Sequence, residues 1–407
     1  MSASSWFKVQ ELTAADAAAN DGFGRTISVS GDYAIVGAPD DDDHGLSSGS
    51  AYIYKRSGST WSQQQKLDAW DAEADDKFGW SVSLSGNYAI VGAPESDDSG
   101  SSSGSAYIFQ LSGSTWYYQQ KLVASDGAQL NDFGSSVAIS SDGYAIVGAY
   151  CNNGNGIAIC SGAAYIFKLS GSTWSQHQKL VASDVASFAY FGRSVSISST
   201  GYAIVGASNG NAGSGSAYIF KLSISTWSEQ QKLVASDAVS GDLFGTSVSV
   251  SGGYAIVGAP GNDDSGSGSG SAYIYELSGS VWVMTKYLVA SDAKSGDNFG
   301  SSVAISNNGY AFTTGSWVNI VYIYQRSGSS WIEQQKLPSY HKSLAISGDY
   351  ALCGADVYYL SPNAPPPPSS PPPPLSSPPP PPSSSPAASY RTAYVVLVSM
   401  FGIFFFN

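Results

Sequence analysis

Short apolar segments separated by Gly/Ser clusters fill residues 6–360, and their order repeats. In one copy the segments are Ser81–Ser85 (SVSLS), Tyr88–Ala93 (YAIVGA), Ala106–Phe109 (AYIF) and Trp116–Leu122 (WYYQQKL). Each is too short for a face-burying helix and is bounded by turn residues, which predicts a strand. Connections such as Ser85-Gly86-Asn87 and Ser112-Gly113-Ser114 read as hairpin turns. The second segment is a near-continuous apolar run, which predicts burial on both faces. The fourth alternates Trp61, Gln63, Gln65 and Leu67 with Ser62, Gln64 and Lys66, which predicts an outer strand whose Lys guards its edge. Four strands grading from apolar to polar describe a propeller blade.

The unit is marked by Phe-Gly at Phe23, Phe78, Phe133, Phe191, Phe244 and Phe299, spaced by roughly 53 to 58 residues. A seventh copy consists of Ser343–Ser347, Tyr350–Ala355 and Val357–Leu360, and prolines follow before any Trp-bearing strand. That strand stands at the other end: Trp6–Leu12 (WFKVQEL) followed by Asp16 has the spacing of Trp116–Leu122 followed by Asp126. The prediction is an all-β, seven-bladed propeller over residues 1–360, closed by the N-terminal strand.

Composition supports this and narrows function. The chain of 407 residues holds 45 Gly and 26 Tyr but only 12% charged residues, the usage of strands and turns rather than solvated helices. A net charge of −13 leaves no basic stripe for phosphates, so nucleic acid is excluded as a partner and cationic, neutral or metal-bridged ones are expected.

Phe-Gly followed by Gly-Ala-Pro (Gly37-Ala38-Pro39, Gly92-Ala93-Pro94, Gly258-Ala259-Pro260) resembles the FG-GAP repeats of the integrin alpha subunit N-terminal propeller and of many surface proteins. Two copies depart, at Gly148-Ala149-Tyr150 and Gly206-Ala207-Ser208, and the sixth and seventh units depart further. The resemblance implies a propeller that binds extracellular ligands, with calcium cages between first and second strands. Here those connections are as short as Ser30–Tyr33, too short to wrap a cation wanting six to eight oxygens, so the family's calcium site does not carry over.

Residues 361–392 hold Pro runs spaced by Ser, which adopt polyproline II and make a stalk of roughly 75 Å at about 3.1 Å per residue. Residues 393–407 form an apolar tail, shorter than the roughly 20 residues of a spanning helix. A glycolipid-anchor signal with Ser383 among its small residues, or a tail anchor, would tie the chain to a membrane. No signal peptide is visible in Met1–Trp6, and the stalk and tail favour a reading frame incomplete at its start over an intracellular protein. The expected location is the cell surface. Cys151 and Cys160 flank a loop tip and are expected to form a disulfide, while Cys353 is expected to be a small core residue.

Acidic clusters follow the Gly-Ala segments: Asp40–Asp43, then Glu95, Asp97 and Asp98, then Asp263 and Asp264. Solvated acidic loops and weak calcium binding through Asp41, Asp43, Asp97, Asp98, Asp263 and Asp264 are the two readings. On either, neutralising Asp41, Asp43, Asp97 and Asp98 should leave the cation-free protein no less stable. Aspartates also recur four residues after the fourth-strand Leu and just before Phe-Gly, where turn capping is expected. Gly45–Gly49 and Gly100–Gly104 match the nucleophile-elbow string but lack its helix and His partner, and His44, His177 and His341 share no spacing. No catalytic set emerges.

In an up-and-down blade the loops between strands two and three and those between blades share one face. Those loops vary in length and carry most of the 31 acidic residues. The expectation is a non-enzymatic adhesion or recognition module that binds a protein or glycan through this face. The alternatives are a structural matrix or wall glycoprotein and, more remotely, a propeller hydrolase.

Overall fold

The computed structural model describes residues 4–152, 159–184, 186–340 and 342–361. The stalk, the tail and Ser383 lie outside the described residues, as does His341. Among the described residues, 28 strands form seven four-stranded antiparallel sheets. The first blade is typical, with Thr26–Ser30, Tyr33–Ala38, Ser50–Ser57 and Thr60–Leu67 in spatial order. First strands of successive blades pack side by side around the axis.

The seventh blade takes its outer strand from the N-terminus. Ser5–Glu11 pairs antiparallel with Asp356–Ser361, setting Trp6 opposite Leu360 and Glu11 opposite Asp356. The predicted closure is therefore the observed one, and no gap remains between the first and last blades.

The Phe-Gly and Gly-Ala motifs are two sides of one inter-blade backbone crossing. A Cβ on Gly37 would lie 2.1 Å from the Gly79 carbonyl oxygen, and a Cβ on Gly79 would lie 2.2 Å from that of Ser50. Gly79 also has φ +91°, so both space and conformation require glycine. A first-strand hydroxyl then locks each crossing. Thr26 Oγ1 donates to the Gly79 carbonyl at 2.9 Å, Ser81 Oγ to Gly134 at 2.7 Å, and Ser343 Oγ to Gly24 at 3.0 Å, the last joining the seventh blade to the first.

The outer strands are linked as well. Gln65 Nε2 donates to the Trp116 carbonyl at 2.7 Å, and the Trp116 N–H returns to Gln65 Oε1 at 2.9 Å. The same reciprocal clamp joins Gln335 to Trp6 and Gln10 to Trp61, across both sides of the closing blade. Each Trp also meets, edge to face, the Tyr that opens the second strand of the preceding blade: Trp116 with Tyr33 at 5.5 Å, Trp6 with Tyr310 at 5.5 Å. The outer edge is thus bridged by Gln side chains, and the fourth-strand Lys has a different task from edge protection. In the fifth blade Lys286 replaces the clamp Gln, and Glu276 instead accepts from Arg326 and from Trp331 Nε1.

Candidate functional site

The antiparallel order places every loop between strands two and three, and every loop between blades, on one face. Tight hairpins cover the other. The predicted disulfide is present on the loop face, joining Cys151 and Cys160, and Cys353 is buried.

The fourth-strand Lys reaches into these loops. Lys121 Nζ lies 2.7 Å from Asp71 and also pairs with Asp98, while the Tyr107 hydroxyl donates to Asp71 at 3.0 Å. The trio recurs as Lys179, Asp126 and Tyr165, as Lys232, Asp184 and Tyr218, and as Lys336, Asp292 and Tyr322. The Asp in each trio is the one four residues after the fourth-strand Leu, which corrects the turn-capping expectation for that position. The other recurring set does cap turns: Asp76 accepts from Glu73 N–H at 2.9 Å and Asp242 from Val239 N–H at 2.8 Å.

Of the six carboxylates considered for metal, the structure brings Asp41 and Asp43 together, close to Asp16, in a cluster tight enough to hold a cation. Lys66 Nζ stands among the three, at 2.9 Å from Asp16, 3.2 Å from Asp41 and 2.5 Å from Asp43. Burial works against the Lys66 charge, but hydrogen bonds to Asp43 and Asp16 outweigh it and raise its pKa. Asp41 is 3% exposed and also accepts from the Ser50 and Tyr52 hydroxyls. Its neutralisation therefore removes attraction rather than repulsion, which corrects the expectation of an undiminished stability.

The remaining four serve other blades. Asp98 pairs with Lys121, and Asp97 accepts from Ser102 N–H at 2.8 Å. Asp263 accepts from Gly268 N–H at 2.6 Å, and Asp264 from the Tyr287 hydroxyl at 2.8 Å. Tyr287 stands where the first four blades and the sixth carry Lys. Burial would raise the Asp98 carboxyl, but Lys121 and Ser105 hold it below the usual carboxylate range. The nucleophile-elbow strings form loop turns with no helix after them; Ser48 Oγ donates to the Asp41 carbonyl and Ser103 Oγ to that of Ser96.

At the centre of the loop face lies a feature that inspection of the loops alone misses. The residue after each Phe-Gly leads into or lies within the innermost strand and lines the axis for its blade: Arg25, Trp80, Ser135, Arg193, Thr246 and Ser301. These residues ring an axial mouth of about 510 Å³. The Arg25 guanidinium stacks 3.9 Å above Trp80, and that of Arg193 lies 5.2 Å from the centre of the Tyr150 ring. Side grooves adjoin it, one of about 470 Å³ with Arg25, Tyr340 and Lys342, the other of about 530 Å³ with Arg193, Tyr190 and Asn209. The sequence signal was a single variable position beside an unvarying dipeptide.

The architecture has relatives of known structure. The structure of U3-55K superposes with a TM-score of 0.54 at 10% identity, over 83% of this chain and 94% of that one. The WD40 repeats of RRP9 give the same score and identity over 83% and 93%. At that identity the likeness concerns the fold alone. No curated protein is similar enough to count as a relative. The FG-GAP repeat model, by contrast, matches six times, at residues 6–54, 61–109, 116–167, 174–220, 227–275 and 282–315. With most of the chain matched, and with each motif glycine accounted for by the crossing between blades, this protein belongs to the FG-GAP repeat family.

Proposed function

We propose that the protein is a non-enzymatic recognition module of the cell surface, engaging a protein or glycan through the loop face of its propeller. The observation that carries this is the asymmetry of the ring. One face is built of tight hairpins, while the other gathers the variable loops, the disulfide and the axial mouth on a scaffold locked at its inner and outer edges. Rigid scaffolds with variable loops on one side are the usual carriers of binding. Membrane attachment through residues 393–407, by a lipid at Ser383 or by a tail anchor, completes the reading. Surface labelling of intact cells tests it: labelled protein released by a glycolipid-cleaving phospholipase supports display, whereas protein labelled only after lysis refutes it.

Weak calcium binding belongs to the same proposal. Lys66 and Lys121 already neutralise the loops of the first two blades, so Asp263 and Asp264 of the fifth, beside Tyr287, offer carboxylates without a lysine. Affinity of about 10⁻⁴ to 10⁻³ M is what such exposed groups give. The structural-glycoprotein reading rests on the Ser/Pro stalk; full-length protein that self-associates and binds no cell or glycan would favour it.

A further inference from the structure

The axial mouth combines three features that together define a ligand class. First, it holds unused positive charge on a molecule of net charge −13. Among the described arginines, Arg56 pairs with Asp32 and Arg326 with Glu276, both away from the mouth. Arg25 and Arg193 form no salt bridge with a described residue, and the guanidinium of each lies over an aromatic ring. Stacking occupies a face of the guanidinium and leaves its in-plane N–H donors free, the donors that grip a carboxylate in bidentate fashion. Asp132 borders the Arg193 groove; burial raises its carboxyl, and it receives the Tyr150 hydroxyl while the Arg193 charge acts on it only at longer range, without a salt bridge.

Second, the rim between the two arginines carries hydroxyls, at Ser135, Thr246 and Ser301, above an inner ring to which each blade adds one Val, Ile or Leu. Third, aromatic surface flanks the mouth: Trp317 and Tyr340 are 78% and 81% exposed, and Lys342 lies 5.1 Å from the Trp317 ring centre. Hydroxyls for hydroxyls, aromatic faces for sugar C–H surfaces and forked cations for carboxylates are the complements of an acidic saccharide. The volume suits it too, since small-ligand sites span about 300–1,000 Å³.

We infer that the axial mouth binds a uronate-type acidic saccharide, with Arg25 and Arg193 as the carboxylate-gripping residues. This deepens the recognition reading, on which it rests for the choice of face. The test uses full-length protein and oligogalacturonate of about ten sugars, compared with the same oligomer methyl-esterified and with polyglutamate of similar charge. The expected result is binding to oligogalacturonate that weakens with added salt, at least tenfold tighter than to the ester or to polyglutamate. Arg25→Ala and Arg193→Ala should each weaken it at least tenfold with unchanged melting temperature, and Lys221→Gln, on the third strand of the fourth blade, should not.

Equal binding of the ester, equal binding of polyglutamate, absence of oligogalacturonate binding, or indifference to both Arg variants would each overturn the assignment. Because both arginines are exposed, the variants are expected to fold, and Arg25→Lys, retaining charge without the fork, should fall between parent and alanine. Cell or glycan-array binding that survives both Arg→Ala changes would remove this site while leaving loop-face recognition standing.

Discussion

At the scale of single residues, the charges of the loop face are largely spoken for. Lys121 serves two carboxylates at once, and replacing it with Met strands both Asp71 and Asp98. Partial exposure moderates the loss, so Lys121→Met should cost about 1–2 kcal/mol in denaturant unfolding. The pH dependence has two limbs of opposite sign. Burial would raise Asp98, Asp126 and Asp184, but lysine hydrogen bonds and charge together with hydroxyl donors hold them low, and Asp292 is held low chiefly by Lys336. Their folded pKa values lie below the unfolded ones, so their stabilisation is complete above the unfolded value and is lost as pH falls, and acid unfolding should begin below about pH 4. Asp76 runs the other way, because burial pushes its carboxyl up to about 6. Its favourable contribution is full below the unfolded value of about 4 and fades as pH rises through about 6. Melting temperature should therefore carry an Asp76 component that rises from pH 7 to pH 5; Asp76→Asn should flatten that window and leave the acid limb in place.

At the scale of the element, strand order and closure were legible because apolar runs and turn residues recur without ambiguity. The pairing of Trp6 to Leu12 with the last blade followed from spacing alone. What the pattern concealed was partnership across blades. Gln65 looks like an ordinary polar residue of an outer strand until the next blade brings the Trp116 backbone to it, and Lys66 looks like an edge guard until Asp16, Asp41 and Asp43 surround it. Arg25 and Arg193 were hidden for the same reason, since only the closed ring brings residues so distant in sequence to one mouth. The crossing glycines allow a sharp comparison. Gly79→Ala meets the Ser50 carbonyl and should cost at least about 3 kcal/mol, whereas Gly113→Ala, at φ +64° with open space around it, should cost only about 1–2 kcal/mol.

At the scale of the whole molecule, closure and recognition are linked, because a ring that opens cannot hold seven inner strands around one mouth. Removing residues 1–15 takes away the outer strand of the seventh blade together with the Gln335–Trp6 and Gln10–Trp61 clamps. The truncated chain should aggregate or melt far below the parent; a melting point within a degree or two would contradict this mode of closure. The central claim is that binding resides on the loop face. Its most direct test attaches a bulky polymer to single cysteines at Trp317→Cys, on a loop of that face, and at Ile224→Cys, a fully exposed hairpin position on the other. Native Cys353 is buried and Cys151 and Cys160 are joined, so labelling is confined to the introduced site. Binding of the labelled proteins to cells or glycan arrays is then compared with the parent. The account predicts that the label at position 317 abolishes binding and that at 224 leaves it intact; the reverse pattern, or equal loss from both, would contradict it.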